Sequence, residues 1–257
     1  MDRKAQILEA ARRQGRVTVD GLAERLGVSP HTIRRDLNTL CDAAKLRRLH
    51  GGAAYIEGQA NIPYPARAVL NLGAKLAIGR AVAAIVPDGA TVFLSIGTTP
   101  ALVASALARR RHLTVVTNNL DAALALSNSE GARIVIPGGE VRLPDRDLLG
   151  ADAIALFATY RADFGIYGVG GIDSDGSLLD FHAPEVRARE SIRQNSRAAI
   201  LVADRTKFGR RAAAVGGHLC QADHVVIDRL PDGPYAALLD SLPGRLVLAD
   251  EREQCHA

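Results

Sequence analysis

The sequence predicts an α/β protein in which a domain with a mostly parallel sheet follows a small N-terminal helical module. From residue 73 onward, apolar strand-like runs alternate with stretches of helical periodicity, which is the pattern of a parallel sheet covered by helices. The first 56 residues carry eleven Lys and Arg against six Asp and Glu, whereas the rest of the chain carries 21 against 22. The basic excess therefore indicates a nucleic-acid-binding module at the N-terminus.

The N-terminal module is predicted to contain three short helices. The first carries its apolar residues on one face and ends at Gly15. The second begins after Thr18 as N-cap and ends at Gly27. The third has Ser29 as N-cap and Pro30 as its first residue. Three short helices with a glycine turn between the second and third outline a helix-turn-helix.

The third helix, "PHTIRRDLNTL", is predicted to present a DNA-binding face. Helical periodicity gathers Ile33, Leu37 and Leu40 on one side and polar residues on the other. In a major groove, an arginine side chain can form two hydrogen bonds with guanine, and an asparagine side chain can form two with adenine. An ordinary solvated helix face is the alternative, but the caps, the glycine turn and the basic excess favour DNA. The predicted DNA-binding residues of the helices are Thr18, Ser29, His31, Thr32, Arg34, Arg35 and Asn38.

A β-hairpin is predicted next, because "KLRRLHGGAAY" alternates basic and apolar residues around a Gly-Gly turn. Its basic side chains, Arg47, Arg48 and His50, are expected to contact DNA phosphates, which positions a module without specifying sequence. "VSPHTIRRDLNTL" together with "LRRLHGGAA" resembles the DeoR family of bacterial repressors. The resemblance implies a winged helix-turn-helix over residues 1–56 that binds double-stranded operator DNA. Residues 57–72, with a glycine and two prolines, are predicted as the linker.

The body, residues 73–257, is predicted to hold seven strands and four helices. The predicted strands are Val92–Ser95, Leu113–Thr117, Arg133–Pro137, Asp163–Tyr167, Ala198–Ala203, His224–Ile227 and Arg245–Leu248. The predicted helices lie near 73–86, 100–111, 120–129 and 185–196. Five strands end in "SIGTT", "TNN", "PGGE", "YGVGG" and "ADRTKFG". Each of these sequences taken alone could be an ordinary turn. In open α/β sheets, however, ligands bind outside the carboxyl ends of the strands. The five sequences together therefore predict one ligand-binding crevice.

The predicted crevice suits a small anionic polyol. Gly97 allows close approach of the backbone, and the following threonines supply hydroxyl and N–H groups at a helix N-terminus, which favours phosphate. Lys207 adds a positive charge, with Arg205 and Arg210 as less favoured candidates. The asparagines are expected to recognise hydroxyl groups. The predicted ligand-binding residues are Ser95, Gly97, Thr98, Thr99, Asn118, Asn119, Gly138, Gly139, Gly170, Glu185 and Lys207.

Several other classes of protein are not supported by the sequence. The three cysteines, Cys41, Cys220 and Cys255, are widely spaced and form no C-x-x-C pair, which favours reduced thiols over a disulfide framework or a zinc site. We expect no metal and no cofactor, since no H-E-x-x-H, G-x-S-x-G or Walker-type motif occurs. No apolar run reaches the length of a membrane span, so we expect a cytoplasmic protein without a membrane partner.

The body also resembles the fold of ribose 5-phosphate isomerase, which the sensor domains of the DeoR family share. The acidic D-G-A-D-E segment of such an isomerase falls here on Tyr167, Gly170 and Gly171, none of which is acidic. Proton transfer between adjacent carbons needs a positioned acid or base. Glu185 and Lys207 remain; they could bind a hydroxyl and a phosphate without chemistry, or sustain a residual isomerase reaction. Binding is favoured, and the protein is predicted not to be an enzyme.

Four segments of the body limit the resemblance to a smaller group within the DeoR family. They are "FLSIGTTPALVASAL", "VVTNNLDAALAL", "RADFGIYGVGGIDSDGSLLDF" and "EVRARESIRQNSR". These segments resemble the DeoR-family members that repress genes of glycerol 3-phosphate metabolism, which implies a repressor released from its operator by glycerol 3-phosphate. The family typically has aspartate where this chain has Ser95, so another sugar phosphate remains the alternative inducer. A small DNA-binding module gains affinity by repetition, and we therefore expect a homodimer or homotetramer.

Overall fold

The computed structural model describes residues 3–14, 16–42, 46–49, 51–55, 62–231 and 233–249. The predictions made for Gly15, His50 and Cys255 lie outside these residues, as does the side chain of Arg47. The chain divides into two compact units, Met1–Ile62 and Pro63–Ala257. None of the helices in the described part of the chain has both the length and the apolar character needed to cross a membrane.

The N-terminal unit contains three helices and a small antiparallel sheet, as the sequence predicts. The helices are α1 (Arg3–Gln14), α2 (Val19–Leu26) and α3 (Pro30–Asp42). The strands are β1 (Arg16–Thr18), β2 (Leu46–Leu49) and β3 (Gly52–Tyr55), in the order β1-β3-β2. Thr18 Oγ1 accepts a hydrogen bond from Gly21 N at 3.2 Å, and Gly27 ends α2 with φ 64°, a conformation that glycine adopts without strain. The winged helix-turn-helix is confirmed.

The C-terminal unit contains seven helices within the described residues. They are α4 (Tyr64–Val69), α5 (Leu72–Ile85), α6 (Thr98–Leu107), α7 (Leu120–Ala125), α8 (Ala151–Thr159), α9 (Ala183–Gln194) and α10 (Tyr235–Asp240). Its first strands are β4 (Thr91–Leu94), β5 (Thr114–Thr117), β6 (Arg133–Val135), β7 (Ala162–Tyr167) and β8 (Gly171–Ile172). The others are β9 (Ser177–Asp180), β10 (Ser196–Ala203), β11 (Ala214–His218), β12 (His224–Ile227) and β13 (Arg245–Leu248).

The seven strands predicted from the sequence form one sheet in the order β13-β12-β10-β7-β4-β5-β6, and all their pairings are parallel. Alternate residues of a strand face opposite sides. Val92 and Leu94 pack under α5 and α6, whereas Phe93 packs with Phe157 of α8 on the other side. The chain runs from β4 towards one edge and from β7 towards the other, which makes the gap between β4 and β7 a topological switch point.

The sequence did not predict the helices α4, α8 and α10, nor the small antiparallel sheet β11-β9-β8. The correction that matters most is α4, because it occupies six residues of the segment predicted as a linker. Such a short segment is not helical by its own propensity. Tertiary contacts hold it: Tyr64 is buried in the C-terminal unit, and Arg67 forms an ion pair with Asp145.

Candidate DNA interface and ligand site

The exposed face of α3 is the one that the sequence predicts. Ile33, Leu37 and Leu40 are buried in the core of the N-terminal unit. The side chains of His31, Arg34, Arg35 and Asn38 are exposed, and Thr32 is half-buried. Ser29 Oγ accepts a hydrogen bond from Thr32 N at 3.2 Å, so the predicted N-cap is present. The helix therefore presents a basic and amide-bearing surface of the kind that binds in a major groove.

A cleft beside this face includes residues that the sequence analysis missed. Arg3 and Lys4, at the start of α1, line it together with His31, Thr32, Arg35, Asp36 and Thr39. Arg3 Nε lies 2.5 Å from a carboxylate oxygen of the buried Asp36, which ties the basic start of α1 to α3. The signal in the sequence was the basic pair before the first apolar face, which was assigned only to an amphipathic helix.

The hairpin of β2 and β3 forms the predicted wing. Arg48 is exposed on β2, and Gly51 makes the turn with φ 74°. Residues Leu46–Leu49 pair with Gly52–Tyr55 in antiparallel register. The described part of the wing thus offers one exposed cation, in the position that suits a phosphate contact.

In the C-terminal unit, the loop after β4 leads directly into α6. Gly97 adopts φ 107° and ψ 165° as the N-cap, a conformation open to glycine but strained for other residues. Thr98 and Thr99 form the first helical turn and are buried. The first N–H groups of a helix have no partner inside it, and the helix dipole is positive there. Residues 97–99 therefore form a candidate anion-binding loop.

Asn119 shapes this loop. Its Nδ2 donates to Ser95 O at 3.1 Å and to Gly97 O at 3.0 Å, and its Oδ1 accepts from Ala122 N at 3.2 Å. Asn119 is also 1% exposed. With its amide used in this way, the role of Asn119 is to position the loop, and not the hydroxyl recognition that the sequence analysis assigned to it.

Asn118 differs from its neighbour. Its Nδ2 donates to Leu148 O at 2.9 Å, but its Oδ1 is buried and has no hydrogen-bond partner among the described residues. Asn118 lines a narrow cleft at the strand ends with Ser95, Ile96, Gly168, Asp180, Glu185, Ala188 and Arg189. A buried acceptor without a partner is costly, and a ligand hydroxyl in the cleft would satisfy it.

Glu185 lies at the N-terminus of α9, where its carboxylate is shared among three partners. Oε2 accepts from the N–H groups of Phe181 and His182 at 3.2 Å, and Oε1 accepts from Arg142 at 3.1 Å. Arg142 also bonds Asp147 through two nitrogens, at 2.7 and 2.8 Å. Glu185 lines the cleft. Its carboxylate also connects this wall of the cleft to Arg142 in the loop after β6.

The buried ion pair of Asp180 and Arg189 lines the same cleft. Arg189 Nε donates to Asp180 at 3.0 Å, and Asp180 Oδ1 accepts from Gly170 N at 2.9 Å. Burial raises the pKa of Asp180, against the lowering effect of Arg189. A Cβ on Gly170 would lie 3.0 Å from Leu179 O, so a side chain at this position would crowd the backbone of β9.

Four cations act on one another electrostatically: Arg67, Lys75, Lys207 and Arg210. Of these, Lys75 contacts the loop of residues 97–99, through Thr98 Oγ1 at 3.0 Å. Only Lys207 was favoured from the sequence. Lys207 follows Asp204, which caps a single 3-10 turn, Arg205–Lys207. Burial, together with the neighbouring cations, lowers the pKa of Lys207 to about 7, and burial lowers that of Lys75 to about 8. Excess positive charge in a desolvated place is a property of anion sites.

Two predicted glycines lie apart from the cleft. Gly138 and Gly139 are exposed, and neither is among the residues that line it. Arg205 donates its backbone N–H to Asp228 at 2.7 Å. The signal for the missed cations was weak, because Arg67 and Lys75 come from helices early in the body and reach the site only through the fold.

Comparison with known proteins places these features in a family. Residues 3–59 match the DeoR-like helix-turn-helix domain, and residues 70–229 match the DeoR C-terminal sensor domain. The chain belongs to the DeoR family. It is a DeoR-family transcriptional repressor, and the prediction of a regulator in place of an isomerase is confirmed.

Relatives in this family cover most of the chain. The glycerol-3-phosphate regulon repressor of Escherichia coli is 44% identical over 88% of this chain and 89% of its own. That of Haemophilus influenzae is 39% identical over 90% of each. The HTH-type transcriptional repressor CsqR of Escherichia coli is 34% identical over 97% of this chain and 95% of its own.

Solved structures are similar over part of the chain. Ribose 5-phosphate isomerase from Plasmodium falciparum has a TM-score of 0.36 at 15% identity, covering 52% of this chain and 53% of the other. The eIF2B beta protein of Chaetomium thermophilum has a TM-score of 0.42 at 13% identity, covering 72% of this chain and 47% of the other.

Proposed function

We propose that this repressor is released from its operator by glycerol 3-phosphate. The observation that carries the proposal is the loop of residues 97–99 at the N-terminus of α6, with Lys75 bonded to Thr98 and with Lys207 and Arg210 acting electrostatically on the same group of cations. A phosphate dianion would bind the free N–H groups and neutralise the desolvated cations. The relatives named as glycerol-3-phosphate regulon repressors support the same inducer.

A hydroxyl group of the inducer would lie in the cleft at the strand ends. Asn118 Oδ1 offers a buried acceptor for a hydroxyl group, and Ser95 lines the same cleft. The cleft is narrow and has room for about one hydroxyl group. In this proposal the loop binds the phosphate and Asn118 binds a hydroxyl group, while Asn119 and Glu185 hold the walls.

The N-terminal unit would bind operator DNA through the exposed face of α3. Arg35 and Asn38 would contact base edges, and Arg48 on the wing would contact a phosphate. Two copies on a repeated operator gain effective concentration, so we propose a homodimer or homotetramer assembled through the body. A repressor acts on chromosomal DNA, and we therefore place it in the cytoplasm.

A second inducer, another sugar phosphate, is favoured by one observation. Ser95 Oγ accepts from Gly168 N at 3.2 Å and donates to Ile96 O at 3.2 Å. Both bonds are internal, so Ser95 offers the ligand no strong acceptor where an aspartate would offer a carboxylate. Another sugar phosphate that makes fewer hydroxyl contacts with the Ser95 side of the cleft would therefore fit as well as glycerol 3-phosphate.

A competition experiment tests the function and separates the two inducers. DNA that the full-length protein selects from a random-sequence pool would be labelled, and its release followed by fluorescence anisotropy. Glycerol 3-phosphate is expected to release the DNA at lower concentration than ribose 5-phosphate, fructose 6-phosphate or inorganic phosphate, with glycerol as the uncharged control. Release by another sugar phosphate alone would replace the inducer, and no release by any of them would contradict the sensing function.

A further inference from the structure

Helix α4 is packed against two different parts of the candidate site. It begins two residues after Ile62, the last residue of the N-terminal unit. The guanidinium carbons of Arg67 and Arg146 lie 5.3 and 5.4 Å from the centroid of the Tyr64 ring. Arg67 also forms an ion pair with Asp145, in the loop after β6. The first helix of the body is thus held by the loop that carries Arg142.

Lys75 connects α4 to the anion-binding loop. Its Nζ donates to the backbone oxygen of Arg67, near the end of α4, and to Thr98 Oγ1 at 3.0 Å. Lys75 is 3% exposed and has no acidic residue in direct contact among the described residues. A buried ammonium group bonded to neutral oxygens is poorly compensated, which indicates that the site is completed by an anion.

We propose that Lys75 is a ligand of the inducer phosphate and that its bond to the Arg67 carbonyl transmits phosphate binding to α4. The inference rests on the proposed function, since it requires the phosphate to bind at residues 97–99. It assigns Lys75 two tasks: it contacts the inducer, and it positions α4 in the absence of inducer.

The hydrogen-bonding capacity of the two side chains supports this assignment. An ammonium group has three N–H donors, and two are used within the described residues. Thr98 Oγ1 accepts from Lys75, which leaves the hydroxyl proton of Thr98 to donate to an anion. Lys75 therefore orients Thr98 as a donor at the N-terminus of α6, where a phosphate oxygen would lie.

The third N–H of Lys75 can bind a phosphate oxygen directly, and the pull of that charged acceptor on the ammonium group gives the switch. A phosphate oxygen is a charged acceptor, whereas the Arg67 carbonyl is neutral, and hydrogen bonds between charged groups are the stronger. The phosphate would draw Lys75 away from α4 and weaken the hold on its last turn. An inducer can shift an equilibrium only by binding one state more tightly, and here that state is the one with α4 released.

The charges around Lys75 favour the same outcome. Asp204 is the acid that acts on it, while Arg67 and Arg210 repel it. The pKa of Lys75 is about 8 because of burial, and a bound dianion would raise it and keep the ammonium protonated. Arg67 Nε is buried without a hydrogen-bond partner among the described residues, so it also gains from a nearby anion.

The test uses hydrogen exchange and calorimetry on the full-length protein. In the wild type, saturating glycerol 3-phosphate is expected to speed amide exchange in residues 64–69, because α4 loses the Lys75 bond. Lys75→Gln is expected to weaken glycerol 3-phosphate binding by about tenfold or more and to abolish this response at saturation. Arg80→Gln is the matched control, since Arg80 is an exposed cation on the same helix, and it should behave as wild type.

A second variant separates binding from transmission. Thr98→Val removes a ligand contact but leaves Lys75 free to exchange partners, so it should weaken binding and keep the α4 response at saturation. Unchanged exchange of residues 64–69 in the wild type would overturn the proposal even if Lys75→Gln fails to fold. Normal binding and response in a folded Lys75→Gln protein would also overturn it. If the wild type binds no glycerol 3-phosphate, the proposed function fails, and the same experiment with the sugar phosphate that does release DNA decides the role of Lys75.

Discussion

The side-chain nitrogen of Asn119 lies 3.0 Å from the backbone oxygen of Gly97, and this bond ties the candidate anion-binding loop to the end of the neighbouring strand. The loop has no side-chain cap of its own at Gly97. A residue on the neighbouring strand therefore supplies the rigidity that positions the free N–H groups before any ligand arrives. Preorganisation of this kind lowers the cost of binding.

Replacing Asn119 should consequently affect both stability and ligand binding. Asn119→Ala removes the side-chain partners of Ser95 O and Ala122 N and one of the two bonds to Gly97 O, and should lower the free energy of unfolding by roughly 1–3 kcal/mol. Chemical denaturation measures this, and calorimetry should show weaker glycerol 3-phosphate binding. Ser127→Ala is the control, because its exposed hydroxyl bond to Leu124 O should contribute at most about 0.5 kcal/mol. Equal effects of the two substitutions would contradict the role given to Asn119.

The two basic positions of the N-terminal unit should differ in their effect on DNA. Arg35→Ala should cost roughly 1–3 kcal/mol on selected DNA and little on random DNA, if Arg35 contacts a base. Arg48→Ala should weaken binding to both kinds of DNA and reduce the salt dependence by about one counterion. Anisotropy titrations at several salt concentrations measure both effects. If both variants lose the same affinity for selected and for random DNA, the assignment of Arg35 to a base contact and of Arg48 to a phosphate contact is wrong.

Inducer binding should weaken as the pH rises through the range in which the desolvated lysines Lys75 and Lys207 lose their protons. The pKa of Lys207 is about 7 and that of Lys75 about 8, both lowered by burial. Asp204 opposes the lowering at each, while Arg67 and Arg210 add to it. A phosphate dianion binds the protonated forms, so binding near pH 8 should take up protons. Calorimetry in buffers of different ionisation enthalpy detects the uptake.

The variant Lys207→Ala should make this uptake smaller and should weaken induction strongly, because the phosphate loses a charged partner. Arg229→Ala, an exposed cation beyond β12, is the control and should leave both measurements at their wild-type values. A wild-type affinity that is constant between pH 6.5 and 9 would show that neither lysine contacts the inducer.

The body should be an autonomous sensor only when it begins at Pro63. Tyr64 is buried, and its pKa is raised by that burial and by a hydrogen bond to Asp121. A fragment of residues 63–257 should therefore oligomerise and bind glycerol 3-phosphate, whereas residues 73–257 lack α4 and should unfold at lower denaturant concentration. Analytical ultracentrifugation and denaturation compare the two. Identical stability would mean that α4 belongs to the linker after all.

The sequence was sufficient for the features that depend on local pattern. The seven parallel strands follow from continuous apolar runs, and the faces of α3 follow from helical periodicity. The geometry of the candidate anion-binding loop follows from a glycine and two threonines placed between a strand and a helix. These features need no knowledge of distant residues, because each is determined by the residues of its own segment.

The sequence was insufficient where distant side chains meet. Asn119 and Glu185 were expected to bind ligand, but backbone groups and Arg142 use their polar atoms, and only the fold determines which acceptors are already satisfied. Lys75 and Arg67 were not predicted as site residues, because only the fold brings them next to the loop and its neighbouring cations. A lysine within an amphipathic helix pattern predicts an exposed position, whereas packing of α5 against α6 buries it beside Thr98.

The most direct test of the account is a calorimetric titration of the full-length protein with glycerol 3-phosphate, in the absence and presence of saturating selected DNA. Coupling between two sites is reciprocal, so DNA must weaken inducer binding by the same factor by which inducer weakens DNA binding. We expect a factor of at least about 5, the lower range of such couplings. Equal inducer affinity with and without DNA would contradict the claim that inducer binding in the body releases the operator.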